Sequence, residues 1–451
     1  MNRARYFIPI ISTLLFASAN AGAESNLLST DSSLSDIHPS KPIPSDSLPS
    51  GWKMKKQWRL GAKITPSAVL PTNVFYKGAN IKGKKIHAGL AEDITSSFTF
   101  DPLSQEGALF PDLYTGAGLS IRTYFDRTLL GTPGSFYLLQ GAPFVHFGDH
   151  WSLGYEWNFG ISYGWKHTSY DPIETASAIS TPVLAHMGVA LKLNYEIDPR
   201  WRLTLGLEAT HFSNGNTSWK NGGMNTAGLS FGASYLLNPC LGRSEERIEE
   251  RLYDEKHDEV NKNYEGVTTQ NVIFPDKGKW LFDIMGYGAW HQAVRTVTLP
   301  IDYPVDFDTT ADVLVPRKFG VAGITFSALR RLNQWIAVGP GAELKWDCSS
   351  GLSYYWEDGE DPTFENLTFR EARFGKQISA AVTGQAELTT PIFAVNAAIG
   401  LNVLNPHGDK FFFQQLTFKA FVTRHLFLNI GYRLGNFSDP LNLMLGIGVR
   451  L

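Results

Sequence analysis

The chain has 451 residues, with 40 Lys and Arg against 43 Asp and Glu, a formal net charge of −3. That balance gives no electrostatic case for a nucleic-acid partner, and the sequence holds no phosphate-binding loop or dinucleotide fingerprint. Aromatics are plentiful (29 Phe, 17 Tyr, 12 Trp), Gly reaches 42 and mean hydropathy is −0.14. These values fit a membrane β-barrel, which hides hydrophobicity by alternating it with polar lumen residues, and equally a secreted all-β protein.

Residues 1–23 read as a signal peptide. Arg3 and Arg5 precede a short apolar run from Phe7 to Ala19, and small residues at Ala19-Asn20-Ala21 and Ala21-Gly22-Ala23 offer cleavage sites. The run is too short for a spanning helix, and no later stretch reaches about 18 consecutive apolar residues. Residues 24–51 are rich in Ser, Asp and Pro (Pro39, Pro42, Pro44, Pro49) and read as a disordered linker.

Strand-like segments then recur at 57–70, 92–101, 115–126, 135–145, 150–165, 181–196, 201–213 and 225–238. After a break they resume at 279–290, 316–329, 334–347, 376–389, 392–404, 411–422, 425–435 and 440–451. The connections alternate in length. Phe147-Gly148-Asp149, Asp198-Pro199-Arg200, Arg330 to Gln334, Thr389-Thr390-Pro391 and Thr423-Arg424-His425 are short. Lys166 to Ser180, Trp290 to Pro316 and Cys348 to Lys376 are long and polar. Short turns at one end and long loops at the other are the habit of outer-membrane barrels.

Two regions break this rhythm. Asp101 to Tyr114 is long where turns should be short. Residues 240–275 begin with a charged run, SEERIEERLYDEKHDEVNK, which reads as a periplasmic linker or solvated helix. The expected fold is all-β, a transmembrane antiparallel up-and-down barrel of about 14–16 strands. Residues 276–451 would close the half begun by 52–239; the alternative is an eight-stranded barrel with additional strands. The one-barrel topology puts Cys240 and Cys348 at opposite ends, so no disulfide is expected.

The chemistry concentrates in 201–237. Trp201, Leu203, Leu205, Leu207 and Ala209 share one face, and Arg202, Thr204, Gly206, Glu208 and Thr210 share the other. His211 and Ser213 continue the apolar face. On the returning strand, Asn225 is in phase with Ala227, Leu229, Phe231, Ala233 and Tyr235. Residues two apart on a strand lie about 6.7 Å apart on one side, and an adjacent strand lies about 4.8 Å away. Ser213, His211 and Asn225 can therefore converge. A serine nucleophile needs a base, and the base needs an orienting partner, which an Asn can supply. Against this stands chance pairing, or an interfacial girdle in which His and Ser meet lipid headgroups. Polar groups that continue a lipid-facing stripe usually have a purpose. His146, Asp149 and His150 cluster at a short turn, and His407 and Asp409 lie in a Pro-Gly loop; all read as surface residues. No metal or cofactor is called for.

His211-Phe212-Ser213-Asn214-Gly215, with Asn221-Gly222-Gly223 and Asn225 after it, resembles the active-site segment of the outer-membrane lipid A 3-O-deacylases. It is similar in particular to the longer Bacteroidetes-type members labelled acyloxyacyl hydrolases. Gln140-Gly141-Ala142-Pro143, Tyr155 to Gly160 and Gly164-Trp165 carry the same likeness. The resemblance covers 57–238 strongly and the remainder more weakly. It implies a Ser/His/acid triad on the outer barrel surface, acting on the ester-linked 3-O acyl chain of lipid A in the outer leaflet of a Gram-negative cell. Ser213 would be the nucleophile and His211 the base. Asn214 and Gly215 would fall in the oxyanion segment. The position of the acid, Glu in the best-known short members, is Asn225 here. Trp219 and Lys220 would be placed to touch the sugar-phosphate headgroup, against plain interfacial anchoring and a solvated loop charge. The competing expectations are a non-enzymatic channel, since about sixteen strands can enclose an aqueous lumen, and a structural barrel without activity.

Overall fold

The computed structural model describes residues 56–101, 104–167, 178–218, 222–238, 276–299, 310–359, 361–404, 411–437 and 439–451. The expected signal peptide, the Pro-rich stretch, the charged segment 240–275, and Trp219, Lys220, Cys240, His407 and Asp409 lie outside the described residues.

Period-2 patterning makes strands. The first eight are β1 (Gln57–Val69), β2 (Ala88–Thr99), β3 (Tyr114–Thr123), β4 (Gly131–Phe147), β5 (Trp151–Trp165), β6 (Val183–Glu196), β7 (Trp201–Ser213) and β8 (Met224–Leu236). Each pairs antiparallel with the next, and β8 returns to β1 with Leu60 opposite Tyr235 and Val69 opposite Thr226. The sheet closes as a barrel of eight. A second closed barrel of eight is built from β9 (Trp280–Thr298), β10 (Thr310–Arg331), β11 (Ile336–Asp347), β14 (Ile378–Thr389), β15 (Phe393–Leu404), β16 (Phe412–Phe421), β17 (Leu426–Gly435) and β18 (Asp439–Arg450). Here β18 pairs with β9, Leu445 opposite Gly288. A small hairpin, β12 (Ser353–Trp356) with β13 (Leu367–Arg370), lies in the connection read from sequence as loop alone.

All sixteen segments read from alternation are barrel strands, and the all-β up-and-down class holds. They do not close as one barrel of fourteen to sixteen strands in which 276–451 completes 52–239; each half closes on itself. The reason is edge satisfaction. The free edge of β1 is taken by β8, which leaves neither strand an edge to offer β9. The polar stretch after Trp290 is also mostly strand, since β9 and β10 extend into a tall ladder that reaches Thr298 opposite Thr310. The long connection at 101–114 holds a short helix, α1 (Gln105–Leu109), capped by Ser104 Oγ accepting from Gly107 N at 3.0 Å.

The short connections are side-chain-built turns. Asp198 Oδ1 accepts from the amides of Arg200 and Trp201 at 2.7 Å each, and Asn333 Oδ1 accepts from those of Trp335 and Ile336 at 2.8 Å. The Trp201 and Arg200 amides hold the Asp198 carboxyl below its usual range.

An eight-stranded barrel has room for side chains or one small ligand. In the first lumen Lys63 pairs with Glu208 at 2.6 Å, Lys192 with Glu156, and Tyr137 donates to Asp93 at 2.8 Å. In the second, Lys419 and Arg450 each bridge Asp283 and Glu387. Such interiors are not the wide aqueous bore on which the channel expectation rested. The outward faces carry the opposite chemistry. Leu60, Ile64, Ile94, Leu119, Leu207 and Phe231 are exposed on the first barrel, and Ile284, Ile324, Leu344, Ile399 and Leu428 on the second. Apolar belts of this kind are stable against hydrocarbon, not water.

Candidate active site

β7 and β8 end together at one mouth of the first barrel, where an apolar plug replaces the ionic lumen. Phe212 and Met224 are fully buried there among Val69, Tyr76, Trp165 and Leu184. Phe212 lies 5.0 Å, ring centre to ring centre, from both Trp165 and His186. Because side chains alternate, the inward lock at Phe212 turns its neighbours His211 and Ser213 outward. The inward lock at Met224 does the same for Asn225. The burial pattern follows this phase as far as Leu207, with Leu203, Leu205 and Leu207 exposed and Glu208, Thr210 and Phe212 buried; nearer the mouth the outward-phase residues Ala209 and His211 are half-buried and Ser213 is buried.

Register brings His211 directly opposite Asn225, with Met187 on its other flank. The imidazole Nδ1 lies 2.7 Å from Asn225 Oδ1. An amide oxygen only accepts, so Nδ1 carries the proton and Nε2 keeps its lone pair for use as a base. Ser213 follows two residues later, opposite Ala185 of β6, and is 8% exposed.

Asn225 is itself held by the β1–β2 connection, residues 70–87. Its Nδ2 donates to Thr72 Oγ1 at 3.1 Å, and its carbonyl accepts from Leu70 N at 2.8 Å. The buried Tyr76 hydroxyl donates to the Gly223 carbonyl at 2.7 Å. Burial pushes the Tyr76 phenol well above its ordinary range, so it remains a donor. Gly223 has φ +56°, and a Cβ there would sit 3.0 Å from Phe212 O and 3.2 Å from His211 Cε1. The positive φ favours glycine, and a Cβ would press on the imidazole.

Asn214 and Gly215 lie in the turn after Ser213. Asn214 Oδ1 accepts from Asn216 N, and its Nδ2 donates to Ser218 O, both at 2.9 Å. Its carbonyl accepts from Thr217 Oγ1 at 2.9 Å. Gly215 and Asn216 take φ of +62° and +67°. Asn214 thus organises its own turn. His146, Asp149 and His150 belong to the opposite end of the first barrel, where His146 lies 3.8 Å from Asp112 and His150 Nδ1 lies 2.9 Å from Glu196 O. A cavity of about 320 Å³ opens at that end among Arg59, Glu156, Lys192 and Arg202, away from Ser213.

Thr72 and Tyr76 are the residues that sequence reading missed. They lie about 150 positions from the strands they hold, and no motif marks them.

Residues 179–234 match the model of the family described as lipid A 3-O-deacylase (PagL), and residues 280–451 that described as acyloxyacyl hydrolase, C-terminal domain. No curated protein sequence matches the chain. Among solved structures, Neisserial surface protein A (NspA) is similar at 9% identity and a TM-score of 0.27, covering 40% of this chain and 96% of its own. The siderophore receptor PirA from Pseudomonas aeruginosa is similar at 9% identity and 0.19, covering 89% of this chain and 81% of its own. The toluene transporter TbuX from Ralstonia pickettii stands at 8% identity and 0.16, with 92% of this chain and 94% of its own. These three likenesses are too distant to bear on function. The matched segments take in β6, β7, most of β8 and the whole second barrel, and the chain belongs to the lipid A 3-O-deacylase family, with an acyloxyacyl hydrolase C-terminal domain.

Proposed function

We propose that the protein is a serine esterase of the Gram-negative outer membrane that removes the 3-O-linked acyl chain of lipid A on the outward surface of its first barrel. Family membership supports the coarser statement, a hydrolase of lipid A at that membrane. The finer statement rests chiefly on one observation: the His211 Nδ1 contact with Asn225 at 2.7 Å, on a face continuous with exposed Leu207, Leu229 and Phe231. A site at the end of a hydrocarbon-facing belt suits an ester at the root of an acyl chain.

In this reading Ser213 Oγ attacks the ester carbonyl while His211 Nε2 takes its proton. Asn225 holds Nδ1–H and so presents Nε2 to the serine. Backbone amides after Ser213, in the segment of Asn214 and Gly215, receive the oxyanion. His211 returns the proton to the sugar oxygen as the C–O bond breaks, releasing the sugar hydroxyl. Water, deprotonated by His211, then cleaves the acyl-enzyme and frees the fatty acid. Asn225 supplies no charge to balance the imidazolium, so turnover should be slower than with a carboxylate at this position. Trp219 and Lys220 remain candidates for headgroup contact.

The test is the full-length protein in a Gram-negative host, with lipid A read by mass spectrometry. Loss of one hydroxyacyl chain, abolished by Ser213→Ala and by His211→Ala, is the expected result. An unchanged lipid A profile with folded protein in the membrane would leave a structural barrel as the reading.

A further inference from the structure

We infer that the β1–β2 connection, residues 70–87, is an arm that grips the phosphates of the lipid A molecule whose ester lies at Ser213. The inference rests on the reading of Ser213 as nucleophile, and it begins from an asymmetry of charge. Up-and-down topology sends alternate connections to opposite ends of the first barrel. Counted from the sequence, the connections at the Ser213 end carry Lys77, Lys82, Lys84, Lys85, Arg127, Lys166 and Lys220 against Asp126, Asp171 and Glu174, and four of the seven cations stand in residues 70–87, which hold no acidic residue. The opposite end carries Asp101, Glu106, Asp112, Asp149 and Asp198 against Lys56 and Arg200. Solvated charges scattered for solubility would not sort by end.

The lysines stand on a built scaffold. The buried Asn80 side chain donates to the carbonyls of Phe75 at 2.9 Å and Lys84 at 2.7 Å, and accepts from the amides of Lys82 at 3.1 Å and Lys84 at 3.3 Å. Asn73 caps the short turn of helix at Val74–Lys77, accepting from Phe75 N at 2.8 Å. Lys82 is 3.0 Å from Asp126, which is thereby neutralised, and Lys84 is 3.8 Å from the same carboxylate. Lys77 and Lys85 are exposed and have no ionic partner among the described residues. Val74 and Ile81, exposed at 46% and 71%, stand on the same arm. Apolar and cationic side chains side by side are the mark of a surface that sits at headgroup depth.

The arm is also fastened to the site. Leu70, Thr72 and Tyr76 hold Asn225 and Gly223, and the lysines begin one residue after Tyr76. A phosphate on the arm and an ester at Ser213 are then parts of one bound molecule. Each lysine near an anionic lipid surface is worth about a fivefold change in binding, and two about twentyfold to thirtyfold.

The test uses full-length protein in zwitterionic vesicles, with phosphorylated and dephosphorylated lipid A as substrates. The parent is expected to prefer the phosphorylated form by about tenfold or more in kcat/KM, and molar salt should erode that preference. In the double variant Lys77→Gln, Lys85→Gln, KM for the phosphorylated form should rise about twentyfold at unchanged kcat, and the preference should collapse. Equal turnover of both forms by the parent, or a preference kept by the variant, overturns the inference. A loss that instead follows anionic lipid added to the vesicles, with dephosphorylated substrate, would make the arm a general membrane anchor and also overturn it. A second measurement does not depend on hydrolysis. Ser213→Ala protein in nanodiscs should retain phosphorylated over dephosphorylated lipid A, and the added lysine substitutions should abolish this. If hydrolysis survives Ser213→Ala, the nucleophile reading fails while the retention measurement still judges the arm.

Discussion

Removing the Asn225 side-chain amide tests the geometry at its centre. In Asn225→Leu the shape is nearly kept, but His211 Nδ1–H loses its acceptor at 2.7 Å. When the imidazole takes the proton from Ser213, that hydrogen bond becomes one to a charged group, worth about 1.5–3 kcal/mol. At about 1.4 kcal/mol per decade, the rate should fall roughly tenfold to a hundredfold. The fold should be little affected, because the strand pairing of residue 225 with His211 and the Leu70 N bond to its carbonyl are main-chain contacts. Asn225→Asp is the matched gain. It keeps an acceptor, lets Thr72 turn its hydroxyl to donate, and adds a charge opposite the imidazolium, so kcat should rise. The assay is release of hydroxy fatty acid from lipid A vesicles, with heat-dependent gel mobility as the check on folding. If Asn225→Leu stays within about twofold of the parent while Ser213→Ala is dead, Asn225 does not orient His211.

Thr72→Val should slow turnover about twofold to fivefold by removing the acceptor for Asn225 Nδ2, and Thr72→Ser should restore it; an inert Thr72→Val would show that the first connection does not position the site. Gly223→Ala places a Cβ against Phe212 O and His211 Cε1 at a positive φ, so stability should fall by about 1–2 kcal/mol and activity by more than that loss explains. Equal losses in melting temperature and rate would reduce Gly223 to a backbone role. Asp126, which opens the four-residue helix α2 (Arg127–Leu130), has its carboxyl held down at about 2 by hydrogen bonds from Thr128 and from Lys82. A lowered folded-state value means that its stabilisation is complete above the ordinary carboxylate range and is lost as pH falls through about 2. The melting-temperature gap between the parent and Asp126→Asn should therefore be constant from neutral pH to about pH 5 and close towards pH 2; a gap that persists at pH 2 would refute the assignment.

Some of this architecture is written locally and some is not. Period-2 alternation is a property of neighbouring residues, so it marks all sixteen barrel strands and places Ser213, His211 and Asn225 in one phase. The hairpin turns are local in the same way: Asp198 and Asn333 make their bonds within three residues. The stretch between β11 and β14 was less legible, because four-residue strands such as β12 and β13 are too short to display a period. Closure is different in kind. Whether β8 turns back to β1 or passes on to β9 depends on pairing between residues more than 150 positions apart, such as Val69 with Thr226. No run of either strand records it, and one barrel and two barrels share the same alternation.

The site divides along the same line. By itself the sequence determined which residue types stand at the end of β7, and that they share one side of the strand, because side-chain direction follows from strand phase alone. It also carried Asn225 at the position where the family resemblance implies an acid. Only the tertiary structure decided that Asn225 meets His211 through Nδ1, since that requires the register of β8 on β7. It alone brought Thr72, Tyr76 and the lysines of residues 77–85 to the same mouth. Those residues reach the site because β1 closes the barrel beside β8, and a contact made by closure leaves no periodic trace in the chain.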